Sequence, residues 1–191
     1  METLAILGRT VGFSLAAGVN LYATVAVIGL SSRFGWVVLP DQFRAFGHPW
    51  VIGIAAVLYV IEFVADKIPW LDSLWDSVHT VIRPVGAALV AVAALGQASP
   101  VVAGLVALLG ASVAAGSHVT KAGTRVAINT SPEPFTNWIA SLAEDAFVIA
   151  LSLLTMAFPV AALAVGVVLI AGMALLGRAL WRWLRGRKKA E

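Results

Sequence analysis

The sequence predicts an all-α polytopic membrane protein: about six membrane-crossing units in two inverted three-unit repeats. Three observations predict it. Of 191 residues, 60% are hydrophobic and 12% charged, against roughly a quarter charged in an ordinary soluble domain, and the mean hydropathy is +0.93. The uncharged runs approach the ~20 residues that a spanning helix needs. One seven-residue pattern occurs twice, at an offset of 98 residues.

The units are expected at about 4–31, 49–67, 70–96, 100–129, 134–157 and 160–184. The first occupies the uncharged run between Arg9 and Arg33, and the second the run between Arg44 and Glu62. The run from Pro84 to Thr120 is split by Gly96-Gln97-Ala98-Ser99-Pro100, and the stretch from Ala146 to Gly177 by Pro159. Trp36, Trp50, Trp70, Trp75, Trp138, Trp181 and Trp183 fall near the span ends, as an aromatic belt requires. The one loop of any length, about 32–48, is too short for a domain. The acidic Met1-Glu2-Thr3 start lacks the positive region of a signal peptide, so the first apolar segment is expected to be kept.

Units one and four do not read as simple helices. Gly12-Phe13-Ser14-Leu15-Ala16-Ala17-Gly18 and Gly110-Ala111-Ser112-Val113-Ala114-Ala115-Gly116 share the pattern G-x-S-[LV]-A-A-G. Each is expected to leave its unit broken or re-entrant, with half-helices starting at Gly18 and Gly116. Repeats of 1–97 and 98–184, each of three crossings, would be inverted in the bilayer, and paired broken helices point to a transport site at mid-membrane. The competing reading of these small residues is tight helix packing.

Charge is distributed unevenly. Arg178, Arg182, Arg185, Arg187, Lys188 and Lys189 against Glu191 make a +5 end, while seven Lys/Arg and nine Asp/Glu leave the rest at −2. A basic cluster directly after an apolar run, centred on a tail at 185–191, is read as a topology signal that puts the C-terminus in the cytoplasm, and not as a nucleic-acid patch. An even number of crossings would put both termini there. Localisation is expected in a bacterial inner membrane. With no cysteine, disulfides and thiolate chemistry are excluded.

Two constellations carry the ionisable groups. Asp72, Asp76, His79 and Arg83 are spaced 4, 3 and 4 and form one polar stripe on a helix begun by Pro69. Glu62 and Asp66 form an i, i+4 pair on the preceding helix. Asp66, Lys67 and Asp72 read as a solvated interfacial face, whereas Glu62 and Arg83 sit in apolar sequence and read as a pair. Asp72, Asp76 and His79 are weak candidates for a metal site. His118, Lys121 and Arg125, spaced 3 and 4, line one helical face beside Ser117 and Thr120. Glu144 and Asp145 lie near the middle of the fifth span, where two adjacent carboxylates need cations, water or a proton. Lys121 and Arg125 are their expected counter-ions, and one carboxyl is expected to exchange a proton during a cycle; a static ion-pair lock is the competing reading. Asn20 and Tyr22 supply neutral polar contacts at the first break.

The stretch E-F-V-A-D-K-I-P-x-x-D-S-x-W-D-x-x-H-T-x-I-R-P, with the upstream A-A-G-x-N-x-Y, resembles a bacterial membrane-protein family known only as domain of unknown function number four-one-two-six. The resemblance covers about residues 5–175. It implies a polytopic membrane protein of this size and singles out Glu62, Asp66, Lys67, Asp72, Asp76, His79, Arg83 and Pro84. It carries no activity.

The expected function is a small secondary transporter or lipid-carrier flippase for an anionic or phosphate-bearing substrate. Asn20, Tyr22, His118, Lys121 and Arg125 would bind it, with Glu62, Asp66, Arg83, Glu144 and Asp145 balancing charge or carrying protons. The alternatives are a membrane-embedded enzyme acting on lipid head groups and a non-catalytic scaffold. No cofactor and no nucleic-acid partner is expected; the lipid bilayer is, and a homodimer would complete a pathway.

Overall fold

A computed structural model describes residues 1–129 and 135–187. Among them it is all-helical: α1 (Glu2–Val19), α2 (Leu21–Phe34), a short 3-10 helix (Asp41–Gly47), α3 (Pro49–Ala65), α4 (Pro69–Leu95), α5 (Pro100–Asn129), α6 (Phe135–Ala157) and α7 (Pro159–Arg187). Proline opens α3, α4, α5 and α7; its missing N–H falls where the first turn has no acceptor, and its fixed φ suits the start. Gly35 ends α2 in the left-handed region at φ 65°, a conformation open to glycine at no steric cost.

Four helices are long and apolar enough to cross a membrane: α4, α5, α6 and the Pro159–Ala179 part of α7. The 3-10 helix and α3, bent by 63° at their junction, make a fifth. Their outward faces are apolar: Val57, Val60 and Val64 on α3, Leu105 and Leu108 on α5, and Val167 and Val168 on α7 are all exposed. Such a surface belongs in lipid. The expected spans from residue 49 onward agree with these helices to within a few residues.

The first unit differs. Asn20 alone separates α1 from α2, with φ −147° and ψ 102°. Its side chain caps α2 by accepting from Ala23 N at 2.9 Å, so the break leaves its donors satisfied. There the chain turns back. Gly8 lies against Pro159, Gly166 against Val11 and Leu15, and Ser14 against Gly110, so α1 runs parallel to α7 and α5. By contrast Tyr22 meets His79, while Leu21 packs on Gly86 and Gly29 on Ile52. With Ile28 sharing a cluster with Val90 and Ala94, α2 runs along α4 and against α3. Phe13 and Ile28 meet in that same cluster around Phe43. The two helices form a V with Asn20 at its tip. Successive helices alternate in direction from α1 to α7.

The second expected break is absent: α5 is one continuous helix through Gly116. Counted by the same offset, the position matching Asn20 is His118, whose ring is engaged by Arg83 and Thr80 and caps no helix. Backbone groups freed inside a bilayer need a substitute partner; Asn20 provides one and its counterpart does not. The matched segments instead pack on each other. A Cβ on Gly18 would collide with the Ala114 carbonyl and Ser117, and one on Gly110 with Ala91. Ser117 Oγ donates to Leu15 O at 2.9 Å. Close approach through small residues accounts for the pattern. Inversion would set these segments antiparallel, whereas they run the same way.

Candidate functional site

The helix α1 is buried without interruption from Thr10 to its end and serves as the axis around which α4, α5, α6 and α7 pack. Below its tip lies a network of charge. On α4 the 4, 3, 4 spacing turns Asp72, Asp76 and Arg83 toward α5, and on α5 the 3, 4 spacing turns His118, Lys121 and Arg125 back toward them. The α3 end adds Glu62 and Asp66, and α6 adds Glu144.

Arg83 has no exposed side-chain surface. It donates to Glu62 at 2.8 Å, to His118 Nδ1 at 2.6 Å and pairs with Asp76 at 3.0 Å. Lys121 reaches Asp66 at 3.1 Å, Glu144 at 3.4 Å, Glu62 at 3.5 Å and the Val19 carbonyl at 3.3 Å. Arg125 grips Glu144 with a fork, Nε at 3.1 Å and Nη2 at 3.0 Å. It also meets Asp66 at 3.1 Å, Asn137 Oδ1 at 3.1 Å and, more distantly, Asp72 at 3.9 Å. Forked guanidinium–carboxylate contacts are the strongest of these.

Tautomers follow from geometry. A guanidinium can only donate, so His118 Nδ1 is an acceptor and the ring is neutral, its proton on Nε2. That proton goes to Thr80 Oγ1 at 3.1 Å, while Thr80 donates to the Asp76 carbonyl at 3.0 Å. His79 donates from Nδ1 to the Trp75 carbonyl at 2.7 Å and meets the Tyr22 hydroxyl at 2.8 Å. The ring of Trp75 stacks on His79.

Six carboxyl groups (Glu62, Asp66, Asp72, Asp76, Glu144 and Asp145) thus gather with four cations, Arg83, Lys121, Arg125 and the nearby Lys67. Lys67, in the turn between α3 and α4, donates to Phe63 O at 2.9 Å and Ser141 Oγ at 3.3 Å. Burial pushes its ammonium below the ordinary value, against the pull of Asp145 and Asp66. If every carboxyl were ionised, the cluster would carry two uncompensated negative charges. Glu62 Oε2, Asp66 Oδ1, Asp72 Oδ1 and Asp145 Oδ2 are buried without hydrogen-bond partners.

Several expectations are met and several corrected. Glu62 and Arg83 pair as anticipated. Asp66 and Asp72 are not a solvated face: both are buried, because the cationic face of α5 covers them. Lys121 and Arg125 are counter-ions of Glu144 but not of Asp145, which faces Asn20 at 3.2 Å instead. The polar stripe divides, with His79 turning to Tyr22. Among the described residues no three His, Asp or Glu side chains converge as a metal site, so Asp72, Asp76 and His79 do not form one together. Gly116 is open to a groove and starts no half-helix. Lys188, Lys189 and Glu191 of the tail lie outside the described residues. Asn137, Ser141, Tyr59 and Asn129 join the network without having been singled out. The i, i+4 spacing of Asn137 and Ser141 ahead of Asp145 is the sequence signal for two of them.

Two cavities adjoin this network, at Lys121 and Glu144 and at Asp72, Asp76 and Arg125. One of about 330 Å³ is lined by Leu15, Val19, Ser117, Lys121, Glu144 and Phe147. It shares Thr120, Thr124 and Met173 with a groove of about 870 Å³ between α5 and α7. Glu144, with 18% of its side chain exposed, is the most open acid in the network's ion pairs. Tyr22 lines a different cavity with α3 and α4, and His118 is enclosed.

A family model described as a domain of unknown function (DUF4126) matches residues 7–179. No curated protein and no solved structure matches the chain.

Proposed function

The chain belongs to the DUF4126 family of unknown function, and from that premise and the site geometry we propose that it is a proton-coupled secondary carrier or lipid-carrier flippase for an anionic, phosphate-bearing substrate. The single observation that carries this reading is Glu144. It lines a cavity and sits in the fork of Arg125, with Lys121 at 3.4 Å, the arrangement a carboxylate or phosphate group of a substrate would adopt. Glu144 thus acts as an internal stand-in for the cargo. Protonating it releases Lys121 and Arg125 to an incoming anion. With carboxyls already in excess, no anion enters unless a proton enters too, so coupling is built into the charge count. The groove between α5 and α7 admits an apolar tail from the bilayer.

The topology that goes with this reading has α3 to α7 crossing the membrane and the α1–α2 hairpin entering and leaving on one side. The Arg-rich end of α7 faces the cytoplasm of a bacterial inner membrane. A second copy of the chain could complete the pathway. The reading as an enzyme of lipid head groups has Asp72 and Asp76 on a cavity of about 200 Å³ but lacks His79 there.

The test uses proteoliposomes holding an internal pH dye, challenged with a short-chain lipid phosphate and, separately, with inorganic phosphate. Proton flux evoked by one of these anions is expected, and Glu144→Gln and Lys121→Gln should each abolish it in folded protein. Flux unchanged in both variants, or no anion-evoked flux in the wild type, sinks the reading.

A further inference from the structure

Glu144 and Asp145 are neighbours with opposite surroundings. Glu144 is gripped by two cations. Asp145 forms no ion pair among the described residues, although it is only 6% exposed and lies near the middle of α6. Its Oδ1 accepts from Asn20 Nδ2 at 3.2 Å. The Tyr59 side chain of α3 is also among the groups close to this carboxyl. Its Oδ2 is buried and has no partner.

The charged and titratable groups facing it are Tyr59 from α3, Asp66 and Lys67 from the α3–α4 turn, and Lys121 from α5. Neither cation is free: Lys67 is held by Phe63 and Ser141, and Lys121 by Glu62, Asp66 and Glu144. An ionised carboxylate at membrane depth without its own cation is costly. The same carboxyl as a neutral acid keeps the hydrogen bond accepted from Asn20 and puts its proton on the oxygen that has no partner.

We propose that Asp145 is a proton-binding site, occupied while the α1–α2 tip is seated. Release breaks the carboxyl O–H bond and passes the proton to water admitted when Asn20 withdraws; that water then solvates the carboxylate. Proton occupancy and hairpin position are thereby linked through one amide. The purpose of the proton rests on the carrier reading, but its presence does not.

Infrared difference spectroscopy of the full-length protein in lipid, at neutral pH without alkali ions, tests this. A protonated-carboxyl band should be present, should lose a component in Asp145→Asn and should keep that component in Glu144→Gln. Heavy-carbon labelling of aspartate should shift it in the wild type, which preserves the test if Asp145→Asn does not fold. A band absent from the wild type, unmoved by the label or unchanged in Asp145→Asn overturns the assignment. A component erased by added sodium shows an alkali-ion site and overturns the proton. An intact Asp145 band beside absent anion-evoked flux removes the carrier reading alone; flux with no such band removes this assignment alone.

Discussion

Arg83 is wholly buried, and its partners are Glu62, Asp76 and His118. Removing one member of a buried charge set leaves the other stranded, typically at about 3–5 kcal/mol, whereas replacing the pair by apolar groups is far milder. Glu62→Ala should therefore destabilise the protein by about that amount in denaturant unfolding, and Glu62→Leu combined with Arg83→Leu by much less. Asn20→Ala removes the α2 cap and the donor to Asp145, and should cost about 1 kcal/mol or more in the same measurement. The sequence marked most of these residues, since ionisable groups in apolar runs stand out. It did not show who meets whom. Asp66 and Asp72 read as solvated because nothing near them in the chain reveals that Lys121 and Arg125 lie over them. Asp145 and Glu144 look equivalent because what each faces lies far along the chain, 19 residues away for Arg125 and 125 for Asn20.

At the scale of elements, prolines and charges punctuate the chain well enough that α3 to α7 are legible almost to the residue. The hairpin is less so: α1 and α2 read as one interrupted unit, and the reversal of the chain at Asn20 has no sequence signal that fixes it. The repeated glycine pattern looked like paired breaks and is a packing seam. The two glycines that end it make a direct contrast. Gly18→Ala would press on the Ala114 carbonyl and Ser117 and should destabilise by about 1–3 kcal/mol. Gly116→Ala meets nothing within 4 Å and should be neutral or stabilise by up to about 1 kcal/mol through helix propensity. Thermal unfolding of the two variants measures both. The reverse ranking would restore a break at Gly116.

For the whole molecule, the proposed topology of a hairpin and five crossings would put the termini on opposite sides, where six crossings would put them together. The chain has no cysteine, so single cysteines report cleanly. Glu2→Cys and Arg185→Cys in intact cells should label from opposite sides with an impermeant maleimide; labelling from one side would return the six-crossing count. Fold class was legible from composition because 60% apolar residues admit few other solutions. Handedness of entry was not, since a helix and its reversal carry the same hydropathy.

The V at Asn20 also bears on synthesis. Its first arm, α1, is made well before α6 and α7, yet it seats against Thr155, Pro159 and Gly166 there. Until then a short, poorly apolar segment holding Arg9 has no finished place in the bilayer. Contacts of such long sequence separation form slowly, and early segments lacking their partners are the ones that quality control sees exposed. The first arm of the V thus comes to rest only once α7 has been made.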